Sequence, residues 1–158
     1  VYKRQYVISL ADNLSKEIAR LDKKIWKEQY RYPEVDILKS VIGIDVYSGM
    51  LILAEIADMA RFPHPDKLVS YAGLAPSTHQ SGDTCYHGGI TKQGSKWLRW
   101  ILVQCAHASI KSRKSHRLKR FYLRIQRRRG KKKAITATAR KMLTIIWHLL
   151  DKNEYYTY

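Results

Sequence analysis

The sequence predicts a mainly α-helical fold, and three observations carry that expectation. Apolar residues recur at intervals of three and four through most of the chain. The helix-breaking residues Pro76, Gly82, Gly88, Gly89 and Gly94 gather in one stretch, 75–94, which is left for loop and turn. An apolar content of 45% with four Trp argues for a packed core over disorder. The 158 residues are enough to bury such a core in one domain. No apolar run approaches the ~18 residues of a membrane span, which predicts a chain without a membrane. Two well-separated Cys make a poor disulfide framework and point to a reducing, cytoplasmic setting. The first residue is Val1, not Met, which predicts a piece of a longer protein.

Taken in order, Val7, Leu10, Leu14, Ile18, Leu21 and Ile25 form a heptad-like seam and predict a long helix from Arg4 to Glu28, ended near Pro33. Such a seam serves a packing helix or a coiled-coil arm for dimerisation. Residues 35–59 read as two helices joined by the turn Val41-Ile42-Gly43-Ile44-Asp45, in the manner of a helix-hairpin-helix. A phosphate-clamping hairpin offers backbone N–H groups between two glycines. Here Asp45 takes the second place, caps the next helix and repels phosphate, so the turn reads as architectural. Asp66 is a candidate N-cap for a short helix to Tyr71, with Gly73 as its left-handed C-cap. A small β-hairpin is expected around Thr84–Thr91. Three helices complete the chain over 95–112, 115–129 and 134–152.

Charge divides this order in two. Residues 1–83 carry 11 basic and 11 acidic side chains, whereas 84–158 carry 19 basic residues with only Asp151 and Glu154 against them. A solvated structural face mixes signs; a one-sign block is the footprint of a polyanion partner. Trp97, Leu98, Ile101, Leu102, Phe121, Tyr122, Ile125, Ile146 and Trp147 interleave with the cations at helical spacing, which predicts a folded basic surface. Nucleic acid is the expected partner; an acidic protein and an anionic membrane surface are the alternatives.

The chemistry-bearing residues are few. Cys85-x-His87 and Cys105-x-His107 are too tightly spaced for ordinary zinc pairs, so no metal site is expected. Glu55 and Asp58, with Asp45, are too few carboxylates for a two-metal site and read as a solvated face beside Arg61. If His79-Gln80-Ser81-Gly82-Asp83 is extended, His79, Ser81 and Asp83 point to one side. Ser81 becomes a nucleophile only with a base or metal to take its proton. Lys92, Lys96 and Arg99 follow as candidate phosphate neutralisers, with Lys92 and Arg99 favoured. Arg127, Arg128, Arg129, Lys131, Lys132 and Lys133 are candidate backbone contacts with DNA or RNA, set at an interhelical turn.

One family draws these pieces together. Gly43-Ile44, Leu53-Ala54-Glu55-Ile56, Arg61-Phe62, the run Leu68-Val69-Ser70-Tyr71-Ala72-Gly73-Leu74-Ala75-Pro76, Gln80-Ser81-Gly82, Ile90-Thr91-Lys92-Gln93-Gly94-Ser95 and Leu98-Arg99 follow one another in an order that resembles the C-terminal domain of DEDD-type insertion-sequence transposases. These are bridge-RNA-guided recombinases related to Piv-type DNA invertases. The resemblance covers about 38–150, with the leading helix similar to the family's coiled-coil connector. It implies a connector over 1–33, a transposase C-terminal helical domain over 34–154, and a RuvC-like N-terminal domain outside this chain whose four acidic residues hold Mg²⁺. It implies Ser81 as the nucleophile, a transient phosphoserine link to DNA, a composite site shared between the domains, a structured guide RNA, and a homo-oligomer through the leading helix. By this reading the chain alone is inactive, and a decayed element that keeps only this half is a further alternative. The family usually has Pro-Gly-x-Gly at the hairpin where this chain has Ile42-Gly43-Ile44-Asp45. The runner-up function is a non-catalytic helix-hairpin-helix module for DNA or RNA. A third is a dimerisation domain that docks on acidic protein.

Overall fold

A computed structural model describes residues 2–81, 84–114 and 116–157, and within them the backbone alone for 78–81 and 84–87. The chain runs through α1 (Tyr2–Glu28), α2 (Glu34–Lys39), α3 (Val46–Ile56), α4 (Pro65–Tyr71), β1 (Pro76–Ser81), β2 (Thr84–Ile90), α5 (Lys96–Lys111), α6 (Arg117–Arg129) and α7 (Lys131–Lys152). The fold is mainly α, as the periodicity predicts.

The core is built on α5 and α7. Leu98, Ile101, Leu102, Cys105 and Ala106 lie on the inner face of α5, and Met142, Leu143 and Ile146 answer them from α7. Each such side chain taken fully out of water contributes about 1.5–3 kcal/mol. The Trp147 indole Nε1 donates to the Phe62 carbonyl at 2.8 Å, fixing α7 against the entry to α4. Buried Thr138 returns its hydroxyl proton to the Ala134 carbonyl at 2.8 Å, so its polar atom costs little. Burial pushes the Cys105 thiol up to about 11 from an ordinary 9.0. Its contribution to stability is therefore present below pH 9.0 and lost as pH rises through 9.0 to about 11. Alkylation of Cys105 in the native chain at pH 8 should be at least ~10²-fold slower than in urea, read by mass spectrometry; equal rates would contradict the burial.

Four expectations need correction. No residue of α1 is buried, so the Val7–Leu21 seam is not a packing surface within the chain. The expected hairpin over Thr84–Thr91 is a single arm: β2 pairs antiparallel with β1, from Pro76↔Ile90 to Ser81↔Thr84. His64, not Asp66, occupies the N-cap of α4, because Pro65 takes the first helical position, and Asp66 faces Arg140 at 3.6 Å. The last helix begins at Lys131, not 134, so its three lysines form its first turn and only Gly130 separates them from α6.

Candidate nucleic-acid interface

The turn between α2 and α3 is spent on packing. A Cβ on Gly43 would lie 2.5 Å from the Cys105 carbonyl and 2.7 Å from the Ser109 N, so this turn lies backbone to backbone against α5. Asp45 caps α3: its Oδ1 accepts from the Ser48 N–H, and Ser48 Oγ accepts from the Asp45 N–H, both at 2.8 Å. Facing α5, the hairpin has the architectural role that its sequence suggests.

The segment that resembles the family most closely builds the base of the hairpin. α4 ends in a Schellman motif, with Gly73 N–H on the Ser70 carbonyl (2.9 Å) and Leu74 N–H on the Val69 carbonyl (3.0 Å). The loop after β2 lies on that helix end. Lys92 N–H donates to the Gly73 carbonyl at 3.1 Å and Ser95 N–H to the Tyr71 carbonyl at 2.8 Å. Ser95 also caps α5 through the Leu98 N–H (3.0 Å) while its hydroxyl donates to Glu55 at 2.6 Å. Glu55 is thus a strut from α3 to the start of α5, not a solvated carboxylate. Asp58 caps the turn at Met59–Arg61 by accepting from the Ala60 N–H at 2.9 Å. The Arg61 guanidinium lies over the adjoining rings of Phe62 (5.2 Å) and Tyr71 (5.3 Å). These three charges are structural.

The candidate site residues fall into three groups. Ser81 is the last residue of β1 and pairs with Thr84; its side chain, those of His79, Cys85 and His87, and all of Gly82 and Asp83 lie outside the described residues. Lys92, Lys96 and Arg99 line the start of α5. Lys92 is exposed and holds a left-handed backbone (φ 57°) unusual for a lysine. Lys96 is exposed in the first turn. Arg99 is half-buried and donates to the Ala72 carbonyl at 3.0 Å, so it fastens α4 to α5. The third group is Arg127–Arg129, in the last turn of α6, and Lys131–Lys133, in the first turn of α7. All six are exposed, and none forms an ion pair among the described residues. Cations suit a helix C-terminus, but three lysines at the start of α7 oppose its dipole, with no acid and no side-chain cap to offset them. An external anion would relieve both costs.

Two features escape sequence reasoning. Trp97 is 64% exposed and Trp100 44%, meeting edge to face at 6.2 Å on the outer side of α5, so Trp97 is not among the core residues. Arg128, Arg129, Lys132 and Lys133 also rim a cleft of about 720 Å³ between the α6–α7 corner and the hairpin base. Only pairing of distant segments creates that cleft, so no local pattern announces it. Cys105 and His107 lie on opposite sides of α5, one buried and one exposed, as helical spacing requires. Among the described residues no group of three or more His, Cys, Asp or Glu converges, so they do not fit a Mg²⁺ site. No described helix is long and apolar enough to cross a membrane.

The family model described as "Transposase IS116/IS110/IS902 family" matches residues 35–123, from α2 into α6. The transposase for insertion sequence element IS1111A of Coxiella burnetii is 31% identical over 75% of this chain and 33% of its own length. The pilin gene-inverting protein of Moraxella bovis is 30% identical over 97% of this chain and 49% of its own. The insertion element IS900 42 kDa protein of Mycobacterium paratuberculosis is 29% identical over 97% and 40%. The chain spans half or less of the length of these relatives. The matched residues contain the Schellman turn, the hairpin and the capped start of α5 described above, and the chain belongs to the IS116/IS110/IS902 transposase family.

Proposed function

We propose that this chain is the DNA-facing, serine-bearing part of a transposase or site-specific recombinase. The observation that carries the reading is a stretch of sequence without an acid, 84–150, whose exposed Arg127–Arg129 and Lys131–Lys133 form no ion pair among the described residues, beside a hairpin arm that ends at Ser81 in a chain of a transposase family. Relatives named as transposases and as a pilin gene-inverting protein support DNA rearrangement as the activity.

In the proposed step the Ser81 hydroxyl gives its proton to a base as Oγ bonds to a DNA phosphorus. The bond from phosphorus to one deoxyribose oxygen breaks, and that oxygen takes up a proton. A second deoxyribose hydroxyl reverses the step on the phosphoserine and restores Ser81. Lys92 and Lys96 neutralise the phosphate, and Arg127–Arg129 with Lys131–Lys133 hold the flanking backbone. The described residues do not fit a metal, so the Mg²⁺ of the family belongs in this proposal to an N-terminal acidic domain, and no step here is drawn through it. A guide RNA would share the basic surface. The exposed α1 seam supports self-association through a coiled coil.

A salt titration of DNA binding tests the polyanion half of the reading. Six phosphate contacts predict a slope of about −5 in log K against log salt, and a loss of about 10³-fold between roughly 50 and 200 mM. Replacing Arg127, Arg128 and Arg129 by Gln should flatten that slope by about 3. A flat titration of the unmodified chain would overturn it. Recombination by full-length protein carrying Ser81→Ala tests the chemical half.

A further inference from the structure

The cleft at the α6–α7 corner has a floor as well as a rim. Leu74, Pro76 and Ile90 from the hairpin base line it together with Ile125 of α6 and Ala137 of α7. The same lining holds the exposed Arg128, Arg129, Lys132 and Lys133, and Arg140, whose guanidinium lies 3.6 Å from Asp66. A duplex presents phosphates, sugars and the base edges of its grooves, and keeps its base faces stacked away from protein. It would use the rim and leave the apolar floor empty. An unpaired nucleotide offers both parts at once, a flat apolar base for the floor and a phosphate for the rim. The volume of about 720 Å³ is of the size that takes one small ligand unit, not a double helix.

Gly89 leaves one side of the cleft open. It sits within β2 and lines the cleft. A Cβ built on it meets nothing within 4 Å, and its φ lies outside the left-handed range. The register shifts between Pro76 and Thr78, so Gly88 and Gly89 together oppose Ser77, and this bulge accounts for glycine in the strand. The Gly89 carbonyl accepts from the Ser77 hydroxyl at 2.9 Å, across the bulge.

We propose that this cleft is a binding site for an unpaired nucleotide of the DNA strand that leads to Ser81. The proposal rests on the strand-exchange reading, since only that chemistry sends an unpaired strand past the hairpin. From Gly88 to Thr84, the partner of Ser81, β2 runs about 14 Å at ~3.4 Å per residue. At ~3.4 Å per nucleotide along a stacked strand, the cleft receives the nucleotide about four positions from the one at Ser81.

Gly89→Leu fills the cleft without changing a charge, and the open space at its Cβ lets the fold accept it. Thr136→Met narrows the same cleft from α7 and serves if the first variant melts early. Binding of the full chain is read by fluorescence anisotropy with labelled oligothymidylate and with a duplex of equal length. The expected result is a roughly tenfold loss of single-strand affinity in either variant, with duplex affinity and both salt slopes unchanged. Unchanged single-strand affinity overturns the proposal, as does an equal loss on both probes, which would make the cleft a general backbone bed. Polyglutamate that displaces the oligothymidylate as well as unlabelled oligothymidylate does also overturns it. If the unmodified chain binds neither probe, the strand-exchange reading itself fails; if it binds both and the variants do too, that reading stands and only the cleft assignment falls.

Discussion

Full-length protein carrying Ser81→Ala is expected to lose recombination by at least ~10⁴-fold while binding DNA with unchanged affinity and salt slope. Alanine removes one oxygen and no charge, so the cationic surface that would supply electrostatic binding is untouched. Removal of a covalent nucleophile characteristically costs enzymes several orders of magnitude, because what remains is positioning and charge stabilisation with nothing to form the intermediate bond. Replacement of one flanking cation, Lys92→Gln, should cost far less, on the order of 10–10²-fold, because its neighbours still screen the phosphate. The two effects separate chemistry from charge. A protein–DNA adduct that survives denaturation should form with the unmodified protein and be absent with Ser81→Ala. Recombination at the original rate in the alanine variant would remove Ser81 from the reaction.

The sequence exposed those parts of the fold that repeat locally. The seam of α1 and the inner face of α5 follow helical spacing, so both were legible without a structure. What the seam faces was not legible, because spacing fixes which residues share a stripe and not whether anything covers it. The β1 arm was hidden for a different reason. Pro76-Ser77-Thr78-His79-Gln80-Ser81 has no alternation of apolar and polar residues, so the pairing with β2 had no periodic signal. The start of α7 is not legible locally, because Gly130 supplies no side-chain cap and three lysines in a first turn run against the helix dipole. Glu55 is 40 residues from Ser95 and looked like solvated surface until the chain brought the two together. The same holds for the cleft, whose walls come from 74–76, 88–90 and 125–140. Family resemblance supplied Ser81, which residue chemistry alone could not distinguish from a turn serine.

Gly94→Ala is expected to lower the melting temperature by about 10 °C, and its mechanism ties the family motif to the site. Gly94 holds φ 99° against the end of α4, where an added Cβ would overlap the Tyr71 carbonyl oxygen. That oxygen cannot yield, because it accepts from the Ser95 N–H at 2.8 Å, and Ser95 in turn caps α5 and bonds Glu55. Backbone strain at a positive φ costs about 1–3 kcal/mol, and forced overpacking about 1–3 more. At about 2–4 °C per kcal/mol for a chain of this size, the shift is large. The control is Glu55→Gln, which keeps a hydrogen-bond acceptor for Ser95 and should cost no more than about 1 kcal/mol. If Gly94→Ala melts with the unmodified chain, the loop is not held on α4 in the way the hydrogen bonds describe. If it melts early, the Gly73 and Gly94 contacts are what aim β2, and with it the paired Ser81 arm, from the rigid α4–α5 junction. The motif then reads as a mounting plate for the arm that ends at Ser81, and under the proposed function its glycines act on chemistry only through the position they give that residue.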